Sequence, residues 1–157
     1  MAMKDNNNFQ RKGSPSNAAV GSDFEALVKV ALEKLLKLRL DQPFPLKIGM
    51  LGRTAKIHKF DLGSLREKVV VECKAHTWTA TGNSPSAKIT TINNAMGLLN
   101  LVPPGYQKFI VLQKDVRTRD KRSFAEYYVT RNLHLIPTDV KVVEFDIEKK
   151  ILREIPT

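Results

Sequence analysis

Apolar residues recur at helical spacing early in the chain: Phe24, Leu27, Val28, Ala31, Leu35 and Leu38. That interval predicts an amphipathic helix. Ser22 stands where an N-cap would, with Glu25 three residues on, the spacing of a capping box. Pro43 and Pro45 close the region, and the period then falls to two. Residues 47–51 and 56–62 read as strands, with Gly52 in the turn between them. Residues 69–74 form the most apolar run, expected as a central strand. A second helix is expected over residues 85–101, with Ser84 as cap, Pro85 at the first helical position and Ile89, Ile92, Met96 and Leu99 inward. Residues 109–113 form a strand and 114–122 a charged loop. Residues 123–132 form a helix with Phe124, Tyr127 and Tyr128 inward, and 140–145 a strand on which 150–155 pairs back. The order predicts one α/β domain over residues 22–157. Residues 1–21, rich in Asn and Ser with Lys4, Arg11 and Lys12, read as a flexible, partly basic arm.

Composition narrows the function. A single cysteine excludes an intrachain disulfide and a four-cysteine zinc site, and makes a reducing cytoplasm the simplest compartment. No apolar run approaches the roughly 18 residues that span a bilayer, and the polar start lacks the apolar stretch of a signal peptide. The net charge of +10 attracts polyanions, of which nucleic acid is the commonest.

Against that basic background, one acidic pattern stands out. Asp61 is followed, after ten residues, by Glu72-Cys73-Lys74 at the end of Val69-Val70-Val71. On a strand Glu72 and Lys74 share one face and Cys73 takes the other. A carboxylate on so apolar a strand is costly to bury without a purpose. An internal Glu72–Lys74 ion pair offers little, because neighbours on one strand face are poorly placed for it and burying the pair returns less than it costs. Two carboxylates and an ammonium at one spot suit a hard divalent cation that activates water on a phosphodiester.

The spacing resembles the PD-(D/E)XK nuclease superfamily, with Phe60 where the family name has Pro. The resemblance covers residues 22–113. It implies a restriction-endonuclease-like αβββαβ core, a mixed sheet flanked by helices, with the remaining helix and strands added at the C-terminus. It further implies a Mg2+-dependent deoxyribonuclease, Mn2+ substituting, with Asp61 and Glu72 as metal ligands and Lys74 beside them. Many members carry a glutamate on the first helix that reaches the metal. Glu25 therefore has two readings, capping box or site residue, and both stay open. Holliday junction resolvases are an alternative, through the basic arm and Lys12-Gly13. A homodimer is the usual arrangement of small members.

Other residues take positions relative to this pattern. His76 continues the Glu72–Lys74 alternation toward substrate. Lys88, in the first turn of the second helix, opposes the helix dipole, and a phosphate held there would explain it. Trp78 lies in the polar loop after the catalytic strand, where it can stack on a base or serve as a rim hydrophobe. Arg117, Arg119, Lys121 and Arg122 suit phosphate contacts or a solvated loop. His58, three residues before Asp61, is expected on the opposite face with a structural role. The leading expectation is an endonuclease of restriction or repair type acting on duplex or branched DNA. The rival is a non-catalytic basic nucleic-acid-binding subunit.

Overall fold

The computed structural model describes residues 17–50 and 53–157. Its elements in chain order are α1 (Asn17–Leu36), β1 (Phe44–Ile48), β2 (Lys56–Phe60), β3 (Leu62–Ser64), β4 (Val69–Lys74), α2 (Ser86–Asn100), β5 (Gln107–Gln113), α3 (Phe124–Asn132), β6 (Val140–Asp146) and β7 (Ile151–Ile155). The molecule is α/β. A five-stranded mixed sheet runs β3-β4-β5-β6-β7, and β1 and β2 form a separate antiparallel ribbon. Strands β4, β5 and β6 are parallel, while β3 and β7 close the sheet antiparallel at its edges. The middle strand is β5; β4, expected to be central, lies one place nearer the edge.

Strand alternation divides the core. Val69, Val71 and Cys73 face α1, together with Phe24, Val28, Leu32, Phe109, Val111, Val143 and Phe145. Val70, Ile110, Leu112 and Val142 face the other way, onto α2, α3 and the inner face of the ribbon. Buried apolar positions through β4 and β5 are those of parallel strands covered on both sides.

Several boundaries differ from expectation. Helix α1 starts at Asn17, so Ser22 lies within the helix and is no N-cap. The Ala18-Ala19-Val20 run supports helix and extends it backward past Gly21, which shortens the expected arm. The first strand lies over Phe44–Ile48 because Pro45 is on an exposed position of a ribbon, where it is tolerated; residues 51 and 52 lie outside the described residues. Helix α2 begins at Ser86, with Pro85 rather than Ser84 at the cap and no side-chain cap bond. Helix α3 has the capping box that α1 lacks, formed by Ser123 and Glu126.

The stretch expected as one strand over residues 56–62 is broken at Asp61 into β2 and β3, which belong to different sheets. Leu62, Gly63 and Ser64 are all buried, so alternation ends at the break. Gly63 is required there, because any Cβ would run into the Phe44 ring. Its backbone also exchanges two hydrogen bonds with Asp41. The break places Asp61 at the sheet edge.

Candidate active site

The site lies where β4 outruns β3. Their pairing stops at Leu62↔Val71. Beyond it the Cys73 amide donates to Asp61 Oδ2 at 2.7 Å. The carboxylate thus takes a main-chain donor at the sheet edge and is fixed against β4. Glu72, one residue earlier, points to the α2 face and is 4% exposed. From the α1 face Glu25 reaches Asp61, with Gln42 Nε2 donating to Glu25 Oε2 at 3.4 Å. Three carboxylates from three elements meet around Asp61.

They repel one another. Burial, then the Asp61 charge, pushes Glu72 up to about 8 against the lowering pull of Lys74. Burial and Asp61 also raise Glu25. The capping-box reading of Glu25 is removed by the position of Ser22 inside α1, and its carboxylate belongs to this cluster.

Two expectations about Glu72 are corrected. Lys74 Nζ does reach Glu72 Oε2, at 3.3 Å, with Lys74 part-exposed and Glu72 buried. His58 is not remote: its Nε2 lies 3.2 Å from Glu72 Oε1. Counting residues from Asp61 placed it on the wrong face because the break at Asp61 resets the alternation. His58 pairs with Leu46 on the inner side of the ribbon, facing the sheet. Burial lowers its pKa, so at neutral pH it meets Glu72 as a neutral hydrogen-bond partner.

Glu25, Asp61, Lys74, His76 and Lys88 line a single cleft of about 590 Å3, whose wall α1 completes with Val20 and Gly21. Glu72 does not line the cleft and is joined to it through Lys74. His76 bonds Thr91 Oγ1 at 2.8 Å, and burial followed by Lys88 and Lys74 holds it down at about 4, hence neutral. Lys88 is exposed in the first turn of α2, which contains no acid. An anion seated there would meet both the lysine and the helix N-terminus.

The other expected contacts fall elsewhere. Trp78 is 7% exposed, its indole N–H donating to the Asp115 carbonyl at 3.0 Å and its ring against Phe124 and Tyr127. It is a core residue and cannot wedge into a base step as it stands. Arg117 covers its face, with the guanidinium carbon 4.1 Å from the ring centroid. The Arg117 fork is bound at both prongs to Asp120, at 2.8 and 2.7 Å, and donates to the Gly82 carbonyl at 3.3 Å. Arg117 therefore anchors the loop and has no free fork for phosphate. Arg122 bonds Thr130. Arg119 and Lys121 are exposed. Arg119 borders a second hollow of about 280 Å3 between the loop after β4 and the loop after β5.

Asp61 and Glu72 offer hard oxygen donors. Among the described residues no three His, Cys, Asp or Glu side chains are arranged as a ready cage for a metal ion. Mg2+ asks for less, being held commonly through one or two carboxylates and several waters. The donor set fits that requirement: Asp61 keeps one oxygen clear of the Cys73 amide, and the crowded carboxylates gain from any cation placed among them.

Among the described residues no helix is long and apolar enough to cross a membrane. Compared with known proteins, the chain matches no family model, no curated protein and no solved structure.

Proposed function

We propose that the chain is a divalent-metal-dependent endonuclease that hydrolyses phosphodiester bonds in DNA, built on a restriction-endonuclease-like core. The observation that carries the reading is the convergence of Glu25, Asp61, Lys74 and Lys88 on one cleft with Glu72 beneath it, in a protein of net charge +10. A pure phosphate binder has little use for two carboxylates lining its cleft, Glu25 and Asp61, since they repel the ligand. The succession α1, strands, β4, α2, β5 supports the αβββαβ core, with β1 and β2 drawn out into a ribbon.

In this reading Asp61 and Glu72 hold Mg2+ or Mn2+. When bound, the ion supplies an acidified water and a counter-charge for the phosphorane-like transition state. Lys74 neutralises a non-bridging phosphate oxygen or orients the water. Lys88 and the α2 N-terminus hold a neighbouring phosphate. His58 and the Cys73 amide fix the two carboxylates. A homodimer would deliver two cuts.

Plasmid nicking tests it. The wild-type chain is expected to nick with Mg2+ or Mn2+ and to stop in EDTA, and Glu72→Gln is expected to remove nicking. Wild-type-like nicking by a carefully purified Glu72→Gln protein would sink the assignment.

A further inference from the structure

The β1–β2 ribbon is a charged surface that the cleft does not use. Residues 43–60 contain Lys47, Arg53, Lys56 and Lys59 and no acid. All four are exposed, and among the described residues none forms an ion pair. Elsewhere the surface cations are often neutralised locally: Lys114 pairs with Asp146, Arg117 with Asp120, Lys141 with Glu154 and Arg153 with Glu126. The ribbon is thus a place where positive charge is left for something outside the chain.

Its two faces differ sharply. Phe44, Leu46, Ile48 and Phe60 point inward to the core, and His58 inward to Glu72. The outward face carries Pro45, Lys47, Ile57 and Lys59, with Ile57 63% exposed between the two lysines. Lys47 pairs with Ile57, so Lys47 and Lys59 are diagonal neighbours on that face, about 7–8 Å apart. That distance is comparable to the straight-line separation of consecutive phosphates on one DNA strand, which rise about 3.4 Å along the duplex axis and also turn about it. A two-stranded ribbon is also narrow enough to enter the major groove, where an aliphatic side chain such as Ile57 can meet a thymine methyl. The chain runs from Lys59 through Phe60 directly into Asp61, so whatever the ribbon grips is delivered beside the cleft.

We propose that the outer face of the β1–β2 ribbon is a duplex-DNA contact, in which Lys47 and Lys59 take backbone phosphates around Ile57, and Arg53 in the connecting turn extends the track toward the tip. The proposal rests on the nuclease reading for the identity of the polyanion. It is tested without catalysis, so the two can fail separately.

The experiment measures affinity for a 30-base-pair duplex against salt, in EDTA, for the full chain. Neutralising two phosphate contacts in K47Q/K59Q is expected to flatten the slope of log K against log[salt] by roughly two units and weaken binding by roughly tenfold per contact near 0.1 M salt. The charge-preserving K47R/K59R is expected to keep the wild-type slope. Lys150→Gln, in the β6–β7 turn at the far edge of the sheet, is expected to leave it unchanged. An unchanged slope in K47Q/K59Q overturns the proposal, as does an equal loss in Lys150→Gln. So does tight binding to phosphatidylserine vesicles with none to duplex. Metal-dependent nicking by a chain whose ribbon variants keep the wild-type slope would leave the nuclease standing and remove the ribbon.

Discussion

Two glutamates lie buried on apolar strands of one sheet, on the same face, and their surroundings are opposite. Glu72 on β4 and Glu144 on β6 are 4% and 0% exposed. Glu144 is met by a guanidinium: Arg153, across the antiparallel β6–β7 pair, donates to Oε1 at 3.0 and 2.7 Å and reaches on to Glu126 at the head of α3. Glu72 has a lysine, a neutral histidine and a competing acid, Asp61. The first arrangement ties three elements together. The second tolerates repulsion at a cleft, which no requirement of folding explains. Even Glu144 is incompletely satisfied, since its Oε2 has no partner among the described residues. Under the proposed nuclease reading, the charge that answers each buried acid is what separates a structural one from a functional one.

The largest effects test that separation directly. Arg153→Ala leaves Glu144 buried without its cation. It is expected to lower stability by about 3 kcal/mol, the low end for a broken buried pair because Arg153 is half exposed. Nicking per folded molecule should survive. Glu72→Gln is expected to do the reverse: cleavage falls by roughly a thousandfold, about 4 kcal/mol of transition-state stabilisation, at unchanged or higher melting temperature. Chemical denaturation and single-turnover nicking on both variants decide it, and matched losses of stability in the two would erase the distinction.

Sequence alone carried one of these acids and not the other. Val69-Val70-Val71-Glu72 drew notice through its spacing to Asp61 and through Lys74. Val142-Val143-Glu144-Phe145 has the same texture and passed as plain strand. The element order was legible because periodicity and Pro and Gly punctuation are local signals. The convergence of Asp61, Glu72 and Lys74 was legible because β4 alternates regularly. The rest was set by tertiary contacts. The strand break at Asp61 goes with the packing of Gly63 against Phe44, and a strand read straight through it puts His58 on the wrong face. Arg117 and Trp78 looked like binding residues by composition, yet Asp120 and Asp115 claim them from across turns and loops. The start of α1 decided Glu25, and a local capping pattern pointed the wrong way.

A smaller effect is a pH slope. Glu72 titrates at about 8 in the folded chain against an ordinary 4.5, so the folded state holds the extra proton between those values. Stability from this group is fully present below about pH 4.5 and is lost as pH rises through about 8. Glu25 is raised as well and acts in the same direction. Wild-type stability should therefore decline across that window more than that of Glu72→Gln. Parallel profiles for the two proteins would mean that Glu72 is answered as fully as Glu144.

Glu25→Gln follows. With no capping role left to it, the change should keep the melting temperature and lower cleavage by roughly tenfold, about 1.4 kcal/mol. A fall in stability at unchanged rate would return Glu25 to the helix.

The smallest expected effect concerns His58, which stands to Glu72 Oε1 as Arg153 stands to Glu144 Oε1, but without charge at neutral pH. A neutral hydrogen bond can orient the Glu72 carboxyl without adding a countercharge, so a cation can still displace the proton that Glu72 holds at neutral pH. His58→Ala should thus cost about 1 kcal/mol of stability or less. Its effect should appear in metal dependence: half-maximal nicking should need more Mg2+, by tenfold at most, with the rate at saturating Mg2+ within a few-fold of wild type. His58→Gln, whose amide can still hydrogen-bond Oε1, should recover most of the difference. Replacement by arginine makes the sharpest comparison, because it would answer Glu72 as Arg153 answers Glu144. His58→Arg is expected to raise stability at pH 8 and to weaken Mg2+ dependence and cleavage together. If cleavage instead stayed at the wild-type level, the charge left unanswered around Glu72 would not be what the cleft works with.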